Sequence, residues 1–219
     1  LLEKHPQAYQ NVVDGRAEMD IDKRFHLGDV VECLSQNEAY SLIESLPVSL
    51  GRKALLEEFP DQEDFLSRQF SSHDEPTDGY QIKMVITYGI AEAQRSQMLG
   101  EVLNEGSVDT FGQLMLTSHD GDRIHLDHAR FDPGKELHLQ PGDYNCSLPE
   151  IDDMVDIAVR HGAVGAQVCG AGLGGSMMAL VRTNRAEAVI EGMRKEYYEP
   201  AGIEEGVTVG MPVSGSGIL

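Results

Sequence analysis

The sequence is poor in basic residues, and this shortage excludes several classes of partner. Its 219 residues include 17 Lys and Arg against 37 Asp and Glu, so the net charge is −20. A chain of this charge repels the phosphate backbone of nucleic acids and the anionic surface of membranes. We therefore expect neither nucleic acid nor a membrane as a partner.

Cysteines and long apolar runs are also scarce. Cys33, Cys146 and Cys169 are odd in number and scattered, and the sequence has no Cys-x-x-Cys pair. Neither a disulfide framework nor a zinc site is predicted, and a reducing cytoplasm fits this usage. Neither a signal-peptide pattern nor a membrane-spanning pattern is visible. The chain begins Leu1-Leu2 without an initiator Met, so we expect a processed product or a piece of a longer protein.

The spacing of apolar residues predicts helices in the first half of the chain. Residues 1–70 are typical of short helical pieces, and the polar, turn-rich residues 71–79 are typical of a linker. A long helix is predicted from Tyr80 to Leu103, and a second from Ser107, whose hydroxyl can cap it. Residues 119–143 are polar and contain Gly and Pro, which favours a long surface loop or a small hairpin.

The last third combines helix and strand patterns. Ser147 and Glu150 have the spacing of a capping box, which predicts a helix that ends at Gly162. Four further elements are predicted in order: strands at 166–169 and 176–181, a helix from Asn184, and a short strand around Thr208-Val209. This order predicts an α+β fold in which an antiparallel sheet is covered by helices on one face.

A glycine cluster is the strongest local feature. It comprises Gly170, Ala171, Gly172, Leu173, Gly174, Gly175 and Ser176. Three of its glycines match the dinucleotide-binding fingerprint of an oxidoreductase, but that fingerprint needs a helix directly after the glycines. The short segment that follows favours a strand, so a tight turn with close backbone packing is the stronger interpretation. If Gly172 or Gly174 has a positive φ, replacement by Ala should destabilise the domain by about 1 kcal/mol or more.

A second feature is a stretch rich in His and Asp. Its members are His119, Asp120, Asp122, His125, Asp127, His128 and His138. Imidazole and carboxylate groups suit divalent metals, but Phe131 stands where a calcium loop needs Glu. A solvated loop is the favoured interpretation. With no nucleophile elbow, Cys–His signature or Walker loop, spacing alone predicts no catalytic residue and no metal ligand.

Several motifs together resemble galactokinases, members of the superfamily of galacto-, homoserine, mevalonate and phosphomevalonate (GHMP) kinases. Residues 169–181 are similar to the third conserved motif of galactokinases. Residues 112–119 resemble the segment that runs Gly, variable, Leu, Met and ends in Ser-His. Further matches are Glu92 and Arg95 in the long helix, Tyr144 and residues 147–152 before and within the next helix, and residues 197–217 in the closing segment.

The resemblance implies a fold and an activity. It covers residues 80–219, which would be a ferredoxin-like GHMP kinase C-terminal domain, after a helical segment and linker at 1–79. Family members use ATP and Mg²⁺ to phosphorylate the anomeric hydroxyl of a sugar, commonly galactose. Their phosphate loop, catalytic Asp and sugar-binding residues lie in an N-terminal domain that is not in this sequence. The fragment would then be inactive alone, and residues 170–176 would position ATP and sugar rather than catalyse.

Departures from the family pattern leave the substrate open. Residues 120–143 would be an insertion, and Leu148 and Ser176 stand where Cys is common in the family. The sugar could therefore be another hexose or arabinose. A regulator that binds sugar and ATP without catalysis is the alternative function.

Overall fold

A computed structural model describes residues 6–19, 27–124, 131–172 and 175–211. The first part of the chain is helical, as predicted. Its elements are α1 (Pro6–Met19), α2 (Leu27–Cys33), α3 (Gln36–Ser45), β1 (Ser49–Leu50), α4 (Arg52–Glu58), a 3₁₀ turn (Pro60–Gln62), α5 (Glu63–Phe70) and β2 (Tyr80–Gln81). The long helix α6 (Lys83–Asn104) follows, so its prediction is confirmed, although Tyr80 belongs to a strand instead.

One hydrophobic core joins the first helices to α6. Val12 of α1, Ile43 of α3 and Ile90 of α6 are fully buried in it, together with Leu137 from much later in the chain. Helix α3 begins with a capping box, in which the side chains of Ser35 and Glu38 each accept a hydrogen bond from the backbone amide of the other residue. The core contains residues on both sides of position 79, and the division into segments 1–79 and 80–219 stays a prediction.

Residues 51–79 form an excursion from this core. Its two ends meet in a two-residue antiparallel ladder, in which Ser49 pairs with Gln81 and Leu50 with Tyr80. Helices α4 and α5 and the turn between them bury no residue. Arg52 holds the base of the excursion through a 3.0 Å hydrogen bond to the Tyr80 hydroxyl. The predicted linker 71–79 is therefore the returning arm of this excursion.

The C-terminal part is an α+β unit built on a two-stranded antiparallel sheet. It contains α7 (Val108–Asp122), a 3₁₀ turn (Leu137–Leu139), α8 (Pro149–Arg160), β3 (Ala163–Cys169), β4 (Ser176–Val181), a 3₁₀ turn (Thr183–Arg185), α9 (Ala186–Met193), a π-helical turn (Arg194–Tyr198) and α10 (Glu199–Ala201). Ala166 pairs with Ala179 in the sheet. Helices α7, α8 and α9 pack with the strands around a common core, which confirms the predicted fold class.

Helix α7 and strand β3 touch through two glycines. A Cβ on Gly112 would lie 2.3 Å from the Val164 carbonyl oxygen, and one on Gly165 would lie 2.5 Å from the Gly112 Cα. These distances are far below van der Waals contact, so only glycine permits this approach. The contact fixes α7 against β3 and carries the end of α7 toward the end of that strand.

Two local predictions are wrong. The predicted surface loop at 119–143 is wrong, because helix α7 extends to Asp122 and because Leu137 and Gln140 are buried. The buried Gln140 side chain accepts a hydrogen bond from the backbone amide of Asp132. Leu148 is the N-cap of α8, with no side-chain cap. Pro149 occupies the first helical position, which leaves Ser147 one residue too early to form the capping box.

The predicted final strand is also not observed. Residues 203–211, which include Thr208 and Val209, form neither a helix nor a strand in the described part of the chain. Across those same described ranges, no helix has the length and apolar character needed to cross a membrane.

Candidate functional site

The glycine cluster is the turn that joins β3 to β4. Cys169 and Ser176 are the last paired residues of the two strands. Gly170, Gly172 and Gly175 have φ values of 93°, 77° and 104°, which side chains disfavour. The cluster is therefore a turn that needs glycine, while Leu173 and Gly174 lie outside the described residues.

The strand after the turn overturns the oxidoreductase hypothesis. Residues 176–181 form β4, paired with β3 along its length. The dinucleotide fingerprint depends on a helix N-terminus whose amides face the pyrophosphate. A strand in that place directs its amides to the neighbouring strand instead.

Gly172 packs against the backbone of Cys146. A Cβ on Gly172 would lie 2.1 Å from the Cys146 carbonyl oxygen and 2.8 Å from its Sγ. The turn is thus seated on the segment that leads into α8. Close packing of the backbone, expected from the glycines alone, is confirmed at this position.

Next to this contact, Cys146 belongs to a partly buried hydrogen-bond network. Its Sγ donates to Asp122 Oδ1 at 3.1 Å, and the Tyr88 hydroxyl is a second partner of the same carboxylate. Burial raises the pKa of Asp122 above its usual range and raises the pKa of the Cys146 thiol to about 12. The thiol is therefore protonated at neutral pH and unreactive as a nucleophile.

A second buried contact involves His119 at the end of α7. The Val168 amide of β3 donates to His119 Nδ1 at 3.3 Å. The proton of the neutral ring is therefore on Nε2, which lies 3.3 Å from Asp152 Oδ1 of α8 without hydrogen-bond geometry. Burial, and then the charge of Arg123, lower the His119 pKa to about 4. This neutral imidazole connects α7, α8 and β3 just before the turn.

The His- and Asp-rich stretch is dispersed by the fold. His119 and Asp122 are buried, and His138 lies 3.4 Å from Glu136. The solvated-loop interpretation is therefore wrong for these two buried residues, whose helix packs on β3. His125, Asp127 and His128 lie outside the described residues. Within the described ranges, no three His, Cys, Asp or Glu side chains converge as ligands for a metal ion.

Arg95 joins the long helix α6 to residues 138–140, which precede α8 in the chain. Its guanidinium is almost fully buried, pairs with Glu92, and donates at 2.9 Å to the carbonyl oxygens of His138 and Gln140. Glu92 and Arg95 both belong to the galactokinase-like pattern of the sequence. Their structural role is to hold residues 138–140 against α6, because a buried guanidinium requires several acceptors.

Sequence reasoning missed Tyr88 as a member of this region. The rings of Tyr88 and Tyr144 are stacked, with centroids 4.9 Å apart and planes 8° apart. A Cβ on Gly121 would lie 2.6 Å from the Tyr88 ring and one on Gly142 would lie 2.5 Å from its backbone. These contacts join residues more than 30 positions apart, so no local sequence pattern predicts them.

Comparison with protein families identifies the segment that contains this region. Residues 99–199 match the family described as GHMP kinases C terminal. This segment is therefore similar to the C-terminal domain of GHMP kinases. The resemblance drawn from the motifs is confirmed, and the matched residues include α7, α8, the β3–β4 turn and the hydrogen bond between Asp122 and Cys146.

Curated relatives of this GHMP domain are galactokinases. The chain is 27% identical to the galactokinase of Streptococcus mutans over 202 residues, 92% of this chain. It is 30% identical to that of Streptococcus suis over 133 residues and 33% identical to that of Thermococcus kodakarensis over 102 residues, which are 60% and 47% of this chain. These matches cover 45%, 30% and 24% of the relatives. The chain thus spans less than half of their length.

Proposed function

We propose that this chain is the C-terminal part of a galactokinase-like sugar kinase. The kinase would transfer the γ-phosphoryl group of ATP to the anomeric hydroxyl of a sugar, with galactose as the first candidate. The observation that carries the proposal is the match of 92% of the chain to a protein named galactokinase. The GHMP family match over residues 99–199 supports the kinase class.

The proposed role of residues 170–176 is to position ATP and sugar. Phosphoryl transfer depends on oriented reactants and on groups that stabilise phosphate charge. Around the turn, His119 is buried and neutral and the Cys146 thiol is protonated, so these groups suit packing rather than proton transfer. At Gly170 and Gly175 a Cβ would meet no atom within 4 Å, so the bare backbone there lets a ligand approach closely, which supports a positioning role.

The proposal assigns Mg²⁺ and the phosphate loop to a domain that would precede this chain. In the described ranges no group of three acidic or imidazole side chains is placed to hold a metal ion. An N-terminal domain of the same protein would be the partner of this one. We also propose cytoplasmic location, since none of the three cysteines forms a disulfide bond.

The test compares the chain with the longest gene product that contains it. Sugar-dependent ADP formation is measured for both, with galactose, glucose and arabinose as substrates. We expect turnover by the longer product and none by the 219-residue chain. Binding of sugar and ATP by the longer product without turnover would replace the kinase by a non-catalytic regulator. Absence of both binding and turnover would overturn the proposal.

A further inference from the structure

Tyr144 presents an aromatic face at the surface beside the glycine-rich turn. Half of its side chain is exposed (50%), whereas its neighbour Tyr88 lies behind it in a parallel stack. Tyr144 is two residues before Cys146, whose carbonyl oxygen is in contact with Gly172. The Cα atoms of Tyr144 and Cys146 are therefore at most about 7 Å apart, so the backbone of Tyr144 lies close to the turn.

The backbone around Tyr144 is held on both sides. Its amide donates to the Gly121 carbonyl oxygen at 2.7 Å, and the Asn145 amide donates to the same oxygen at 3.2 Å. Asn145 has the left-handed φ of 57°, and its side chain hydrogen-bonds Asp143. A ring fixed before a ligand arrives loses little conformational entropy on binding. An exposed aromatic side chain that is held this firmly is suited to be a binding surface.

The charge around the stacked pair favours a neutral ligand. Asp122 bonds to the hydroxyl of Tyr88, and Asp143 lies next to Tyr144 in the chain. The nearby cation of α6, Arg95, is occupied by Glu92 and backbone carbonyl oxygens. Carboxylates repel the negatively charged phosphates of a nucleoside triphosphate but accept hydrogen bonds from hydroxyl groups. A sugar therefore suits this surface better than ATP does.

We propose that the exposed face of Tyr144 is a stacking platform for the pyranose ring of the sugar substrate. The negative face of an aromatic ring attracts the weakly positive C–H groups on the apolar face of a sugar. Tyr88 stabilises the platform from behind. The inference rests on the proposed sugar-kinase function, and it adds a residue that contacts the sugar from this domain.

The test is the KM of the longest gene product for sugar and for ATP. Tyr144→Ala should raise the KM for sugar about five- to tenfold, because a stacking contact contributes about 1 kcal/mol. Its KM for ATP should not change. Tyr144→Phe, which keeps the ring, should retain the KM for sugar within about twofold. Phe65→Ala is the matched control, since Phe65 is equally exposed (52%) and lies in α5, which buries no residue.

A second readout separates this proposal from the kinase proposal. The chain contains no Trp, so Tyr144→Trp keeps an aromatic face and adds a fluorophore at the platform. Its emission should change on titration with galactose and stay constant with a non-hydrolysable ATP analogue. This response without turnover would refute the kinase function and leave the platform standing. Normal turnover with an unchanged KM for sugar in Tyr144→Ala, or a response to the ATP analogue alone, would overturn the platform.

Discussion

Replacement of Gly172 by Ala tests how the turn is seated on the segment before α8. The substitution has two costs. A side chain at φ 77° costs about 1–2 kcal/mol. The new Cβ would also lie 2.1 Å from the Cys146 carbonyl oxygen, and the backbone shift that relieves such a clash costs about 1–3 kcal/mol more.

Gly170 provides the control for the first cost. Its φ of 93° is also positive, but a Cβ there meets no atom within 4 Å. Gly170→Ala should therefore lose only the backbone contribution of about 1–2 kcal/mol. The difference between the two variants isolates the contact with Cys146.

The assay is the free energy of unfolding of both variants, measured by urea titration and by thermal melting with circular dichroism. We expect Gly172→Ala to be less stable than Gly170→Ala by about 1–3 kcal/mol, which is roughly 2–12 °C in Tm for a chain of this size. Equal stability of the two variants would refute the close contact. Unchanged stability in both would refute the strained turn itself.

Three further predictions follow from buried contacts. His119 has a pKa of about 4 in the fold against 6.5 for the free side chain, so the unfolded chain binds the extra proton between these values. The contribution of His119 to the free energy of unfolding is then full above pH 6.5 and falls by about 2 kcal/mol by pH 5. Urea titration at pH 7 and pH 5 should show a smaller loss of stability in His119→Asn than in the unmodified chain, and equal losses in the two proteins would contradict the shifted pKa. Arg95→Met should lower the free energy of unfolding by about 3 kcal/mol or more, since it leaves Glu92 and two carbonyl oxygens without their donor; a loss below about 1 kcal/mol in the same titration would show that the Arg95 guanidinium is not buried as described. Gly112→Ala should destabilise despite the better helix propensity of Ala, whereas Gly100→Ala, with no atom within 4 Å of its Cβ, should stabilise by about 0.5–1 kcal/mol; melting shifts of the same sign would refute the tight contact between α7 and β3.

Local patterns predicted those elements whose determinants are local. The long helix α6 and the strands β3 and β4 were predicted because their apolar spacing and the intervening glycines are properties of short windows. The cap of α8 was placed on Ser147 because the capping-box spacing was followed, although Pro149 favours the first helical position.

The parts that could not be predicted depend on contacts between distant residues. Asp122 and Cys146 form a hydrogen bond although they are 24 positions apart. Asp122 lies at the end of α7, and α7 packs closely on β3 at Gly112. The burial of Gln140 likewise depends on residues outside its own window, since Arg95 binds its carbonyl oxygen from α6. Such contacts require the assembled fold, so sequence reasoning assigned that segment to solvent.

The excursion at residues 51–79 leaves and rejoins the core at a single point. Leu50 and Tyr80 face each other in the β1–β2 ladder, and the two helices between them bury no residue. A two-residue turn suffices to connect paired strand ends, so the excursion is replaceable by a short hairpin. Unburied segments with adjacent ends are also the sites that tolerate insertion of foreign domains. Leu50 and Tyr80 therefore mark a site for protein engineering, where residues 51–79 can be replaced by a reporter or an affinity domain without repacking the core.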